Sequence, residues 1–163
     1  MPFDRIHAAG CAFAAILANA TIVTWGDPNF GGDSRSVQAQ LQNVQRVYST
    51  YYAFAAVCSP DGSVVTWGDP AFGGNSSGVQ EKLRHVQQIS GSIGAFVAVL
   101  SDGSVLSWGN VLFGADSSAA QGILPLLGWL RQKWSQKSQN DSGWSWDMGV
   151  PSWSTMVNPG KPW

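Results

Sequence analysis

The stretch Asp27-x-Asn29-x-Gly31-Gly32-Asp33 sets oxygen-bearing side chains at alternate positions, the way a calcium loop presents its first ligands. Gly31, however, stands where a further oxygen ligand is needed, and the twelfth position is Gln38 instead of Glu. A near-copy further along the chain carries Ala71 and Asn75 at the matching places. The stretch therefore reads as an Asx-Pro turn, and no metal is expected. His7 and His85 are the only histidines, and neither has nucleophile or metal-ligand spacing. They read as surface or loop residues. The glycines form neither GxGxxG between a strand and a helix nor GxxxxGK[ST], so nucleotide binding has no support. The reading assigns no catalytic residue and no cofactor.

Composition narrows the field further. The chain has 163 residues and a net charge of −1, with its few Lys and Arg residues scattered, which argues for a globular protein without a phosphate-tracking surface. Nucleic acid is not an expected partner. The apolar run from Ala8 to Val23 resembles a signal or short span, but its pattern recurs at residues 53–65 and 95–106, as strand pairs would. No stretch reaches the roughly 20 apolar residues of a membrane-spanning helix. The chain is expected to be soluble or peripheral, and intracellular or organellar rather than secreted. Cys11 and Cys58 read as buried, reduced thiols at near-equivalent places in neighbouring repeats.

What organises the sequence is a period of about 41 residues. AFAAILANATIVTWGDPNFGG begins at Ala12, AFAAVCSPDGSVVTWGDPAFGG at Ala53 and AFVAVLSDGSVLSWGNVLFGA at Ala95. Phe13, Phe54 and Phe96 open each unit, and Trp25, Trp67 and Trp108 keep the register. A Trp fixed at the same strand end in every unit reads as packing, in equivalent and largely buried positions. Ala53–Cys58 and Ser63–Trp67 form a hairpin across Asp61-Gly62, a pair suited to a type I′ turn, while the first unit has Asn19-Ala20 there, where Ala is expected to cost about 1 kcal/mol. Phe54 and Ala56 lie on one face and Ala55 and Val57 on the other, so the strand is covered on both sides. After the Gly-rich loop, Val37 and Leu41, or Val79 and Leu83, mark one or two helical turns capped by Ser36 or Ser77. NVQRV and HVQQI then read as a third strand leading into the next unit.

The apolar strand, the Asp-Gly-Ser-Val-Val-Thr-Trp-Gly segment and the Gly-rich loop resemble the repeats of the regulator of chromosome condensation family. The short period is more similar to compact relatives such as β-lactamase inhibitor protein II, and the TWGDP-FGG units also resemble tandem arrays of algal, dinoflagellate type. The resemblance covers residues 5–121. It implies a seven-bladed propeller whose loops bind other proteins, although this chain has only three units.

The expected fold is all-β: a partial, three-blade propeller-like array with short helical turns and an irregular C-terminal arm. Residues 1–121 hold the units, at about 5–46, 47–88 and 89–121, and residues 122–163 form the arm. Six of the nine Trp residues lie between Trp129 and Trp163. Residues 125–137 could form a helix with Leu126, Leu127, Leu130 and Trp134 on one stripe. That stripe either covers the last blade or docks on a partner or membrane surface, and Trp129, Leu130, Trp134, Trp144, Trp146 and Trp153 are the candidate partner-binding residues. The expected function is a non-catalytic protein–protein interaction or assembly module. The alternatives are an accessory peripheral subunit of a large complex strapped on by the arm, and an exchange-factor or ubiquitin-ligase-type repeat fragment. Three blades leave two apolar faces to be covered, by a larger hetero-assembly in the first instance and a homo-oligomer in the second.

Overall fold

The computed structural model describes residues 3–118, with side chains from residue 5 onward. Within that span the chain folds into three antiparallel sheets of three strands each. The first is β1 (Phe3–Ala8), β2 (Ala12–Leu17) and β3 (Ile22–Gly26); the second is β4 (Val44–Ser49), β5 (Ala53–Cys58) and β6 (Ser63–Gly68). The third is β7 (Val86–Gly91), β8 (Ala95–Leu100) and β9 (Val105–Gly109). Strand order follows chain order in each sheet, so every blade is a simple meander. The arm and the 125–137 stripe lie outside the described residues.

The middle strands are rich in Ala, a residue usually depleted in strands. Burial explains the choice. All six residues of β5 are buried, and its alternate side chains enter two different cores. Phe54, Ala56 and Cys58 pack with Ala12, Ala14, Ile16 and Ile22 of the first blade, while Ala53, Ala55 and Val57 pack with Ile89, Phe96, Ala98 and Trp108 of the third. Small side chains let the sheets stack closely on both faces. Leu41 and Leu83, fully buried in the loops between blades, fill the rest of each layer.

Backbone bonds tie the first two hairpin turns to the next blade. Val44 N donates to Ala20 O at 2.9 Å, and His85 N and Val86 N donate to Asp61 O and Gly62 O at 2.9 and 3.3 Å. Asn43 and His85 hold equivalent left-handed positions, φ 53° and 54°, just before β4 and β7. His85 is thus an exposed loop residue, whereas His7 lies in β1 and is half-buried.

Several sequence expectations change here. The hairpins are four-residue loops in which positive φ falls at one residue only: Ala20 (61°), Gly62 (65°) and Gly103 (83°). The residue before each glycine or alanine accepts from the N–H two residues on: Asn19 from Thr21 at 3.2 Å, Asp61 from Ser63 at 3.1 Å and Asp102 from Ser104 at 2.8 Å. This Asx bond holds the loop and displaces the type I′ turn. The helical turns are 3₁₀ in character, over Gln80–Lys82 in the second repeat, and Ser36 and Ser77 do not cap them. Asp33 and Asn75 cap the backbone instead, while the buried Ser34 and Ser76 carry the hydroxyl contacts. Cys11 is exposed and Cys58 buried, because Cys11 precedes β2 whereas Cys58 ends β5; the two are not equivalent.

Two outcomes follow from these backbone and burial facts. Ala20→Gly, which removes the Cβ from a left-handed residue, should raise stability by about 1 kcal/mol in denaturant titration, and an unchanged midpoint would refute the strain. The Nε2 of His7 is buried without a hydrogen-bond partner among the described residues, and burial first, then the Arg5 charge, lowers its pKa below the usual 6.5. The unfolded chain therefore binds the proton more tightly, so stability should fall as pH drops below about 6.5, and His7→Leu should flatten that slope.

Candidate interaction surface

Each blade carries the same aromatic pair across its second and third strands. Phe13 lies opposite Trp25, Phe54 opposite Trp67, and Phe96 opposite Trp108. The rings stack with centroids 5.4, 5.3 and 5.3 Å apart and interplanar angles of 14°, 20° and 28°. The stack is therefore made within the blade.

What differs is the cover. Phe54 and Phe96 are 0% and 1% exposed and Trp67 and Trp108 3% and 6%, but Phe13 and Trp25 are both 42% exposed. Trp25 thus departs from the burial expected of all three. Its physical reason is the neighbour: Trp67 Nε1 donates to Gly31 O of the first blade at 3.0 Å, and Trp108 Nε1 donates to Gly73 O of the second at 3.1 Å. Gly31 and Gly73 hold φ 97° and 101°, and a Cβ on either would come within 2.6 or 2.7 Å of the ring of Phe54 or Phe96. Only glycine fits. No described residue offers such a glycine to Trp25, and Ile6 (59%) and Val23 (45%), which share its face, are exposed as well.

A second aromatic surface crosses the repeats. Phe30 meets Tyr52 at 4.4 Å, Tyr52 meets Phe72 at 4.9 Å, and Phe72 meets Phe113 at 5.9 Å. Tyr51 packs edge-on to Tyr52, and Tyr51 N bonds Ile93 O at 3.0 Å. Tyr51, Ile93, Val111 and Leu112 are exposed along this seam. Tyr51 and Tyr52 are unique to the second repeat, so their part in the seam cannot be read from the period.

The acidic and hydroxyl side chains are committed to turns. Asp27, Asp33, Asp69 and Asp116 each accept from the backbone N–H two residues on, at 2.9, 2.9, 2.8 and 3.0 Å. The Arg35 guanidinium also binds Asp33 at 2.6 Å and lowers its pKa to about 2. Asp61 and Asp102 are lowered by their bonds to Ser63 and Ser104, and burial raises Cys58. Buried hydroxyls brace the loops: Ser34 lies 3.1 Å from the Thr24 hydroxyl and donates to Gln38, whose amide reaches Ile22 O. Thr66, Ser76, Gln80 and Val64 repeat the arrangement. This brace was not anticipated, although Thr-x₉-Ser-x₃-Gln recurs in both units. Among the described residues no group of His, Cys, Asp and Glu is placed to hold a metal ion, and no helix is long and apolar enough to cross a membrane. Trp129, Leu130, Trp134, Trp144, Trp146 and Trp153 lie outside the described residues.

No family model matches the chain, and no curated protein does. Among solved structures it is similar to human WBSCR16, with a TM-score of 0.50 and 16% identity over 76% of this chain and 36% of that one. Yeast RCC1 (Prp20), crystallised with Kap60, gives 0.49 and 17% over 64% of this chain and 29% of that one. The ectodomain of the Physcomitrella patens receptor kinase CR4 gives 0.48 and 17% over 66% and 29%. The chain spans about a third of the length of these structures. The WBSCR16 superposition and the three stacked meanders define the fold as a partial all-β propeller. Its units are propeller-type blades of three antiparallel strands each.

The unequal cover of the three Trp residues has a measurable consequence. Trp67→Ala should cost about 3–5 kcal/mol, as for other large core truncations. Trp25→Ala, compared at a concentration where the chain is monomeric, should cost only about 1 kcal/mol, the worth of its stack on Phe13. Equal shifts in the denaturation midpoints of the two variants would contradict this asymmetry.

Proposed function

We propose that the chain is a non-catalytic protein–protein interaction module. The observation that carries this reading is the aromatic seam from Phe30 through Tyr52 and Phe72 to Phe113, edged by exposed Tyr51, Ile93 and Leu112. Rings locked against one another lose little side-chain entropy on docking, and exposed aromatic clusters of this kind supply the energetic centre of protein interfaces. The acids, by contrast, are held in turns by their own backbone neighbours, which suits loops built as rigid supports. In this reading the module sits in a larger hetero-assembly, and the Trp-rich arm, with Trp129, Leu130, Trp134, Trp144, Trp146 and Trp153, is its attachment strap.

The native mass of the assembly, measured with partners retained, tests both surfaces. Tyr51→Ser combined with Ile93→Ser should keep the far-UV β signal and release the chain from its partner. Deletion of residues 123–163 should likewise keep the β signal and abolish assembly. Full assembled mass in the double variant would overturn the seam, and in the deletion the strap.

A further inference from the structure

The interface between blades is heterologous, and this chain contains it twice in the same form. The incoming half is a Phe–Trp stack with Ile or Val beside it; the outgoing half is a left-handed glycine that closes a capped 3₁₀ turn. Blade 2 docks on blade 1, and blade 3 on blade 2, through Trp67 to Gly31 and Trp108 to Gly73.

Among the described residues one half of each kind is left over. On blade 1 the Phe13–Trp25 stack is already formed, at the same ring separation as the two buried stacks, yet it is exposed together with Ile6 and Val23. On blade 3 the Val111–Phe113 turn is capped by Asn110, which accepts from Leu112 N at 3.0 Å, as Asp27 and Asp69 cap the two earlier turns. Gly114 ends it at φ 106° and ψ 15°, close to Gly31 (97°, 5°) and Gly73 (101°, 1°). A Cβ at Gly31 or Gly73 would meet a phenylalanine ring, but at Gly114 it meets nothing within 4 Å among the described residues. The backbone of a third socket is thus in place, and no described ring fills it.

We propose that these two surfaces join between two copies of this chain, head to tail: the Phe13–Trp25 stack of one copy seats against the Gly114 turn of another, with the Trp25 Nε1–H donating to the Gly114 carbonyl. The occupant is a second copy because the complementary half is present on every molecule, and because the two internal interfaces show that these halves fit. The join continues an established interface. Two copies joined at both ends would give six blades, within the range of about 4–8 that closed propellers use, and a heterologous contact that closes makes a ring.

Light scattering on the purified chain over a wide concentration range reads the association directly. The wild type should have the mass of two chains. Trp25→Ala removes the incoming anchor, and Gly114→Asn blocks the socket with a residue that tolerates left-handed backbone. Both positions are exposed, so the far-UV spectrum should be unchanged, while each variant alone should associate about tenfold more weakly or not at all. Mixing the two should restore a one-to-one pair, since Gly114→Asn keeps an intact Trp25 face and Trp25→Ala an intact socket. A monomeric wild type, a Gly114→Asn variant that associates like wild type, or a mixture that stays monomeric would each overturn the proposal. None of these results bears on the seam, whose test uses Tyr51 and Ile93.

Discussion

The contact between a tryptophan and the glycine of the preceding blade sets the spacing of the whole array. Trp67 reaches Gly31 O and Trp108 reaches Gly73 O, each from a ring already stacked on Phe54 or Phe96. The indole N–H is buried, and left without its acceptor it would carry the full cost of desolvation, about 1–3 kcal/mol. The glycine is constrained as tightly as the tryptophan. Its φ lies in the left-handed region and its missing Cβ is the space the phenylalanine ring fills, so one residue answers a backbone and a packing requirement together.

That contact requires the loop before it to hold still, and the polar residues of each repeat serve this end. Asp27 and Asp69 cap the short turn leading to the glycine, and Asp33 and Asn75 cap the next. Thr24, Ser34 and Gln38 then tie that second turn back to β3, as Thr66, Ser76 and Gln80 tie theirs to β6. The same carboxylates that resemble a calcium loop in spacing are accounted for as turn caps. The Arg35 guanidinium first and the Arg35 N–H second lower the pKa of Asp33, and bonds to Ser118 lower that of Asp116. Acidic residues here stiffen a scaffold on which apolar surfaces are displayed.

Repeat number, strand placement and the two-sided burial of β5 were legible because period and apolar pattern depend only on sequence. The Asp-Pro turn was legible too, from the side chain and ring that make it. Loop geometry was less so: Asp61-Gly62 suits a two-residue turn and an Asx-held four-residue loop alike, and the choice depends on where Gly62 and Asp61 bond the next blade. The capping serines were misplaced for a similar reason, since Ser34 and Ser36 differ only in which faces Thr24. Cys11 and Cys58 looked equivalent from their composition of neighbours, but they stand at opposite ends of matched strands. Trp25 is the most instructive case. Its local sequence and its stack match those of Trp67, and only the absence of a described blade before it separates 42% exposure from 3%.

Burial in a repeat array is thus a property of the neighbour more than of the residue. A heterologous interface repeated along a chain leaves one unmatched face of each kind unless the array closes into a ring. In stacked arrays the terminal units commonly turn a polar face outward. Here the first blade does not: Ile6, Phe13, Val23 and Trp25 are the counterparts of Val47, Phe54, Val65 and Trp67, apolar at every position. The preformed stack on blade 1 and the glycine turn on blade 3, whose geometry matches the turns that receive Trp67 and Trp108, are the two halves of one interface.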